Sequence, residues 1–342
     1  MVGRRAWFNA NVELRSPRLG LLALLGFALV AGPHDVVGQG SESLRRIAFL
    51  SGEDVCAANR GLSGLVDGLR SLGYRPGENV VIDCRSAEGR YDQLDALAAE
   101  LVRLRPAVFV ASAAPASLAA KRATRGIPIV SVYAADPVAL GIVSSLARPD
   151  GNITGISALA SEYAGKSLQI LKDLAPRTSR VGVLGHATNP SFAIYRRELE
   201  LAAQTLAIRL DFVGVASAAE IEPALATMVA HGDDALFIMH QPLTFSQRNN
   251  IVQLVARLRL PAIYGSREAV ESGGLVSYAV SVGATHRRAA FIVDKILHGT
   301  RTTDLPIEQP TNFEFVINLK TAEALDLKVP QSVRLRADQV ID

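Results

Sequence analysis

The sequence predicts an α/β protein of two lobes, each made of a parallel β-sheet flanked by helices. Three observations lead to this prediction. Short apolar runs alternate with amphipathic helical patterns, this plan occurs twice, and a segment rich in proline and glycine separates the two halves. A length of 342 residues, of which 49% are hydrophobic, is sufficient for two domains that each have a core.

The alternation is clearest in the first half of the chain. Four leucines between residues 94 and 104 recur at helical spacing, which predicts a helix over residues 91–104. Pro106 ends that helix. The apolar runs AVFVASAA and IPIVSVYA follow as buried strands, and the helix between them begins at Pro115 and ends at Gly126.

A further helix is expected where Asp136 precedes Pro137. Aspartate is a preferred N-cap residue, and proline is favoured at the first helical position. The remaining strands come from the same kind of pattern. The strands predicted for the first lobe cover residues 45–52, 78–86, 107–114 and 127–134, and those for the second cover 180–186, 208–216, 234–240 and 261–264.

The chain is predicted to cross between the lobes three times. The first crossing is expected at DGNITGIS, because Pro149, Gly151 and Gly155 break any helix there. The second is expected at GGLVSYAV, and the third at LPIEQPTNFEF, which has two prolines and no helical period. Lobe 1 then comprises residues 45–155 and 281–308, and lobe 2 comprises residues 156–280 and 311–342.

The N-terminus has the features of a secretory signal peptide, which we assign to residues 1–40. A basic segment precedes the apolar run of residues 19–32, and that run is too short for a typical membrane span. An uncleaved anchor is the alternative interpretation. No cysteine lies directly after the apolar run, between residues 33 and 44, which argues against a lipid anchor. The expected location is therefore periplasmic or secreted, after cleavage of the signal.

Several long runs resemble a known family. EGRYDQLDALAAELVRLRPAVFVA, IPIVSVYAADPVALGIVSSLARPDGNITGIS, PAIYGSREAVESGGLVSYAV and LPIEQPTNFEFVINLKTAEALDLKVP are similar to ABC transporter substrate-binding proteins of the tryptophan/tyrosine type (TrpX-like). The resemblance implies a type I periplasmic-binding-protein architecture: two Rossmann-like lobes with strand order 2-1-3-4-5, joined by a multi-strand hinge. It also implies a monomer without cofactor or catalysis. Such a protein delivers a small solute, such as an amino acid, to a membrane permease and its ATPase.

Open α/β sheets bind ligands at the carboxyl ends of their strands, and this rule selects the candidate ligand-binding residues. Glu53 and His240 lie at the same strand ends. Asp136 and Asn189 have an alternative role as helix caps, and Tyr264 and Tyr278 could instead belong to the core. The candidates are Ser51, Ser112, Ala113, Tyr133 and Asp136 from the first lobe, and His186, Asn189, Gln241, Tyr264 and Tyr278 from the second.

Cys56 and Cys84 are predicted to form a disulfide. They lie at the same end of strands that are neighbours in the expected order, and an exported protein meets an oxidising compartment. The alternative is two unpaired thiols, with Cys84 buried as a small apolar residue.

Other classes of site and function are disfavoured. The six histidines show no metal-binding motif, although His186 and His240 at neighbouring strand ends leave a two-histidine site as an alternative. The chain lacks a GxSxG, Walker or GxGxxG motif, which favours binding over catalysis. A net charge of +3 without a basic stripe argues against nucleic acid. A secreted hydrolase and a sensory ligand-binding protein remain as alternative functions.

Overall fold

The computed structural model describes residues 44–53, 56, 60–311 and 313–342. The predicted signal peptide, its cleavage and the alternative of an uncleaved anchor all lie outside the described residues. Within the described part of the chain, none of the helices has the length and apolar character needed to cross a membrane.

Five parallel strands form the sheet of lobe 1, in the order β2-β1-β3-β4-β5. Apolar side chains alternate between its two faces and bury one core on each face. The strands are β1 (Arg45–Ser51), β2 (Val80–Ser86), β3 (Val108–Ser112), β4 (Ile129–Ala134) and β5 (Ile153–Ser157), and the helices between them are α1 (Arg60–Ser71), α2 (Leu94–Arg103) and α3 (Ala113–Ala123).

The sheet of lobe 2 repeats this arrangement and extends it. Its strands are β6 (Arg180–His186), β7 (Arg209–Val215), β8 (Ala235–Ile238), β9 (Ala262–Tyr264), β10 (Val276–Val280), β11 (Phe313–Asn318) and β12 (Gln339–Ile341). The order is β12-β11-β10-β9-β8-β6-β7, and β11 runs antiparallel to β10. Both sheets therefore contain the 2-1-3-4-5 order, and the chain has the two-lobed α/β fold that the sequence predicts.

The helices of the second half complete both lobes. They are α4 (Ala160–Leu174), α5 (Ser191–Leu206), α6 (Ile221–Ala230), α7 (Pro242–Ser246), α8 (Arg248–Leu258), α9 (Arg267–Glu271), α10 (Val282–Leu297), α11 (Leu319–Ala324) and α12 (Gln331–Arg334). Helix α10 returns to lobe 1, where Ala289 and Val293 join the core under Phe49. It packs closely on α1, since a Cβ on Gly68 would lie 2.6 Å from Ala290 Cβ.

The segments expected to cross between the lobes are more regular than the sequence indicates. Most of DGNITGIS is strand β5, whose edge is paired with the third crossing segment: Glu308 N–H donates to Gly155 O, and Ser157 N–H donates to Glu308 O, both at 2.9 Å. GGLVSYAV contains strand β10 of lobe 2.

The prediction of a helix after Asp136 is wrong. Residues 136–150, all of which the structure describes, contain a turn and irregular backbone instead. Asp136 Oδ1 accepts the N–H groups of Val138 and Ala139 at 3.0 Å each, as an N-cap would. Gly141 then adopts a φ of +65° and ends the turn before a second one forms. The capping chemistry is therefore present without a helix.

A disulfide joins the loop after β1 to strand β2. Cys56 and Cys84 have their sulfur atoms 2.06 Å apart and their Cα atoms 5.8 Å apart, and the bond closes a loop of 28 residues. Cys84 is paired with Phe49 in the β1–β2 ladder, so the bond lies beside the end of β1. It ties Cys56, three residues after Glu53, to strand β2.

Reduction of this disulfide should lower the free energy of unfolding. Closing a loop of this length restricts the unfolded chain by about 3 to 4 kcal/mol in loop-closure entropy. Urea unfolding with and without reductant measures the difference. A double variant, Cys56→Ser with Cys84→Ser, should have the same free energy of unfolding as the reduced protein, and reductant should not change that free energy. Two free thiols in denatured, unreduced protein taken from an oxidising compartment would contradict the bond.

Candidate functional site

Side chains of the two lobes meet directly at the carboxyl ends of their strands. The Glu53 carboxylate, in the loop after β1, lies 3.3 Å from His240 Nε2, which follows β8. The Tyr91 hydroxyl, in the turn after β2, accepts a hydrogen bond of 3.0 Å from Asn189 Nδ2, which follows β6. The two contacts join lobe 1 to lobe 2, so the structure shows the lobes closed on each other.

Glu53 is the acidic group at the centre of this region, and the residue is only 8% exposed. Its N–H donates to Ser51 Oγ at 3.0 Å, and its carbonyl oxygen accepts the Ser86 hydroxyl. These bonds and the disulfide hold the loop in place. The negative charge of Glu53 acts on four surrounding rings, those of Tyr91, Tyr133, His240 and His286.

Tyr91 and His186 form one side of the site. Tyr91 begins a short 3-10 turn (Tyr91–Gln93), which places its ring centroid 4.5 Å from that of His186. Asn189 Oδ1 accepts the Ser191 N–H at 2.9 Å, so the amide Nδ2 is directed towards the Tyr91 hydroxyl. Burial raises the pKa of Tyr91 and lowers the pKa of His186. The hydroxyl therefore stays protonated and the imidazole neutral at about pH 7.

Tyr133 forms the opposite side. Its φ of +67° accompanies a shift of register between β4 and β5, and this irregularity brings its ring to 5.4 Å from the His240 ring. The His240 ring lies 5.0 Å from Phe245, and the Arg248 guanidinium lies 4.6 Å from the Phe245 centroid. Together with Tyr91 and His186, these rings form an aromatic enclosure beside Glu53.

Lobe 2 contributes buried nitrogens that lack a hydrogen-bond partner among the described residues: His186 Nδ1, His240 Nδ1 and Gln241 Nε2. Gln241 Oε1 accepts the backbone N–H of His186, which fixes the amide and leaves its NH2 group unused. Thr188 Oγ1 lies 3.2 Å from His186 Nε2, and a hydroxyl can either donate to that nitrogen or accept from it. Lobe 2 therefore presents the Gln241 NH2 group as a hydrogen-bond donor, together with two imidazole nitrogens.

The protonation of His240 depends on Glu53. Burial lowers the pKa of His240, but the hydrogen bond to Glu53 and the charges of Glu53 and Glu268 raise it. They outweigh burial and the opposing charge of Arg248, so the pKa lies above its usual value. The pair thus favours a charged imidazole beside a carboxylate.

The two-histidine metal site considered from the sequence gains no further ligands. Within the described ranges, no three histidine, cysteine, aspartate or glutamate side chains are grouped so that they could hold a metal ion.

Most of the candidate residues named from the sequence lie at the edges of the lobes. Ser51 supports the Glu53 loop, while Ser112 and Ala113 are partly exposed where β3 passes into α3. Ala113 has a φ of +68° at this junction. The group brought together here comprises Ser51, Ser112, Ala113, Tyr133, His186, Asn189 and Gln241.

Asp136, Tyr264 and Tyr278 are placed elsewhere. Asp136 caps its turn and lines a separate cavity with Arg197 of α5. Tyr264 is 3% exposed within the core formed around α6, α8 and β8, because its ring packs on the backbone of Gly274. Tyr278 stacks on Phe313 at 5.1 Å with nearly parallel rings, across the β10–β11 pair.

Three contributors were missed by reasoning from the sequence: Tyr91, Phe245 and His286. Tyr91 was assigned only to the start of a helix, although it follows strand 2 at the same sheet edge as the other candidates. Phe245 belongs to the short helix α7, between β8 and α8. His286 reaches the site from α10, a helix distant in sequence, and no local pattern reveals that contact.

The sequence model of the ABC transporter substrate binding protein family matches residues 47–341, which is nearly all of the described chain. The chain belongs to this family. A curated relative, the tyrosine-binding protein of Clostridioides difficile (strain R20291), is 26% identical over 277 residues, or 81% of this chain and 78% of that protein. Members of this family are solute-binding proteins, and the resemblance seen in the sequence is confirmed.

Solved structures show the same fold. A complex with L-Trp from Streptococcus pneumonia has a TM-score of 0.82 at 25% identity, and a conserved domain protein from Vibrio cholerae has 0.81 at 24%. Each alignment covers 87% of this chain and 100% of the other chain. A ligand-free, open substrate-binding protein with adhesive properties from Clostridium difficile has a TM-score of 0.64 at 22% identity, covering 87% and 99%.

The contact between Glu53 and His240 should make stability depend on pH. The pKa of His240 is raised in the folded chain, so the contact contributes fully to the unfolding free energy below about pH 6.5. That contribution is lost as the pH rises through the raised pKa. Thermal unfolding between about pH 6 and pH 9 should show the loss, and His240→Gln should abolish it.

His231→Gln is the matched control for this pH profile. His231 lies 2.6 Å from Asp211 within lobe 2 and does not contact Glu53, so the variant should keep the loss attributed to His240. A pH profile unchanged by His240→Gln would show that the contact between the lobes does not form.

Closure of the lobes should be sensitive to the size of residue 52. A Cβ on Gly52 would lie 3.1 Å from the Tyr91 ring and 3.2 Å from Pro242 Cγ of the opposite lobe. Gly52→Leu should therefore separate the lobes and increase the radius of gyration in small-angle scattering. Gly126→Leu is the control, since a Cβ there meets nothing within 4 Å. Equal radii for the two variants would argue against the closed arrangement.

Proposed function

We propose that this protein is the extracytoplasmic receptor of an ABC importer and that it binds an aromatic amino acid between its two lobes. The observation that carries the proposal is the enclosure at the lobe edges, where the buried Glu53 carboxylate is surrounded by aromatic and imidazole rings of both lobes. The enclosure has complementary chemistry for the three parts of such a solute, and each part is considered in turn.

The ammonium group of the solute is matched by lobe 1. Glu53 supplies a negative charge in a region largely shielded from water, where a charge-assisted hydrogen bond is strong. His240 Nε2 lies 3.3 Å from this carboxylate. An ammonium group would then compete with the imidazole for Glu53, so the charge that closes the lobes is also the charge that selects a cationic group.

The carboxylate of the solute is matched by lobe 2. The amide NH2 of Gln241 and the Nδ1 atoms of His186 and His240 are buried and lack partners among the described residues. With a proton on each Nδ1, as we propose, all three are donors. Leaving such donors unpaired is costly, and a carboxylate would satisfy them. A zwitterion would thus lie with its ammonium on one lobe and its carboxylate on the other, bridging the lobes and favouring their closure.

The side chain of the solute is matched by the rings of Tyr91, Tyr133, His186 and His240. Aromatic pairs with centroids about 4.5 to 7 Å apart are favourable beyond the apolar area that they bury. The names of relatives agree with this assignment, because the curated relative is a tyrosine-binding protein and the Streptococcus pneumonia structure is a complex with L-Trp. The rings here therefore support tryptophan or tyrosine as the first solutes to test.

The partners and location of the protein follow from this proposal. A closed receptor presents both lobes to a membrane permease, which an ATPase drives on the other side of the membrane. The export signal assigned to residues 1–40 supports release into the periplasm or the medium, and the disulfide suits an oxidising compartment. We propose that the receptor acts as a monomer of two lobes, made of residues 45–155 with 281–308 and of 156–280 with 311–342, and that it carries out no catalysis.

Replacing the central carboxylate should weaken binding much more than it weakens folding. L-tryptophan and L-tyrosine are expected to raise the melting temperature of the protein, because they bind the native state alone. Glu53→Gln should lower the affinity measured by calorimetry by about tenfold or more, through loss of a charge-assisted hydrogen bond.

The control for this prediction is Glu78→Gln. Glu78 is exposed, pairs with Arg75 at 3.3 Å and lies just before the amino end of β2, whereas the site lies at the carboxyl ends of the strands. The Glu78→Gln variant should therefore bind with the affinity of the wild type. An equal affinity for Glu53→Gln and Glu78→Gln would refute the assigned role of Glu53. A complete panel of amino acids without a shift in melting temperature would refute the solute class.

A further inference from the structure

A buried histidine of α10 is bonded to one of the candidate ligand-binding residues. His286 is fully buried, and its Nε2 lies 3.0 Å from Ser112 Oγ. Its Nδ1 lies 2.9 Å from the carbonyl oxygen of Val282, one turn earlier in the same helix. The ring also packs at 5.9 Å from Phe49 in the lobe 1 core. The imidazole is thus held between a backbone carbonyl and a serine hydroxyl.

This arrangement determines the position of every hydrogen atom involved. A carbonyl oxygen can only accept a hydrogen bond, so Nδ1 must carry a proton. Burial lowers the pKa of His286, which keeps the ring neutral, and a neutral imidazole has one N–H. Nε2 is therefore unprotonated and must accept. It follows that the Ser112 hydroxyl donates its hydrogen to His286.

A serine hydroxyl normally serves as donor or acceptor as its partner requires. Because the Ser112 hydroxyl donates its hydrogen to His286, it can only accept a hydrogen bond from another partner. Ser112 is partly exposed at the edge of lobe 1, where Glu53 supplies the other acceptor. The charge of Glu53 acts on His286 as well, which places the two acceptors in one electrostatic environment.

We propose that His286 is a positioning residue, which makes the Ser112 hydroxyl a permanent hydrogen-bond acceptor and thereby directs the ammonium group of the solute to lobe 1. The inference rests on the proposed function and deepens it, because it assigns the orientation of an amino acid in the cleft. The N-terminus of α3, which begins at Ala113, favours the opposite orientation by attracting a carboxylate. Ser112, with no hydrogen left to donate, opposes that orientation and selects an N–H donor.

The histidine tautomer can be tested without any solute. Imidazole 15N NMR on the full chain, with the signal assigned by its loss in His286→Phe, should show a neutral ring protonated at Nδ1. Ser112→Ala should leave that tautomer in place and shift the Nε2 resonance, because the hydrogen bond to Nε2 is gone. A ring protonated at Nε2, or a charged ring at about pH 7, would overturn the proposal.

The orientation can be tested with three probes. L-tryptophan carries both the ammonium and the carboxylate group, tryptamine carries only the ammonium group, and indole-3-propionate carries only the carboxylate group. Ser112→Ala should weaken the two ammonium-bearing probes by about tenfold and leave indole-3-propionate unchanged. His286→Phe should reduce the same preference, because the freed hydroxyl can then donate to a carboxylate. The double variant should lose no more preference than Ser112→Ala alone, since His286 acts through Ser112.

His298→Phe replaces an exposed histidine at the far end of the same helix and should leave all three affinities as they are in the wild type. If Ser112→Ala weakens indole-3-propionate rather than tryptamine, the orientation is reversed and the proposal is wrong, while the proposed solute class stands. If none of the probes binds the wild type, the proposed solute fails, and the assigned orientation fails with it. The NMR result would then still decide whether His286 fixes the Ser112 hydroxyl.

Discussion

The enclosure depends on one buried carboxylate. Glu53 has little contact with water, and a negative charge in such a place requires compensation. His240 of the opposite lobe compensates this charge, so the contact that neutralises Glu53 also joins the two lobes. The surrounding features serve the same group: Ser51 and Ser86 hold its backbone, and the disulfide restrains its loop. The same contact between Glu53 and His240 therefore forms part of the site and holds the two lobes together.

The two lobes differ in the hydrogen-bonding groups that they present to the site. In the proposed arrangement, lobe 1 offers oxygen acceptors at Glu53 and Ser112, whereas lobe 2 offers nitrogen donors at His186, His240 and Gln241. A molecule with a positive and a negative end can satisfy both lobes at once, and a molecule with one charge can satisfy one of them. The proposed recognition of a zwitterion thus needs no unique pocket shape. It follows from the unequal distribution of donors and acceptors between two lobes that share one fold.

Much of the fold could be predicted from the sequence because apolar runs and helical periods are local signals. Strand β6 was predicted with its observed bounds, and the two-lobed α/β class follows from the repeated pattern. The turn at Asp136 was mistaken for a helix, because a capping residue followed by proline specifies a start and says nothing about length. The site was harder. Strand ends pointed to Tyr133, His186 and Asn189, but the contact between His286 and Ser112 joins residues 174 positions apart in the chain. Only the packing of α10 on lobe 1 brings them together.

The covalent tie between Cys56 and Cys84 has a consequence for where the protein can work. It lies three residues from Glu53 and anchors that loop to the neighbouring strand. In the reducing cytosol the tie would be open, and the acid would be attached to an untethered loop. A newly made chain would then have a low affinity for the amino acids that the cell already holds. With the proposed export, oxidation would close the tie outside the cytosol, and the proposed receptor would bind its solute more tightly there than before export.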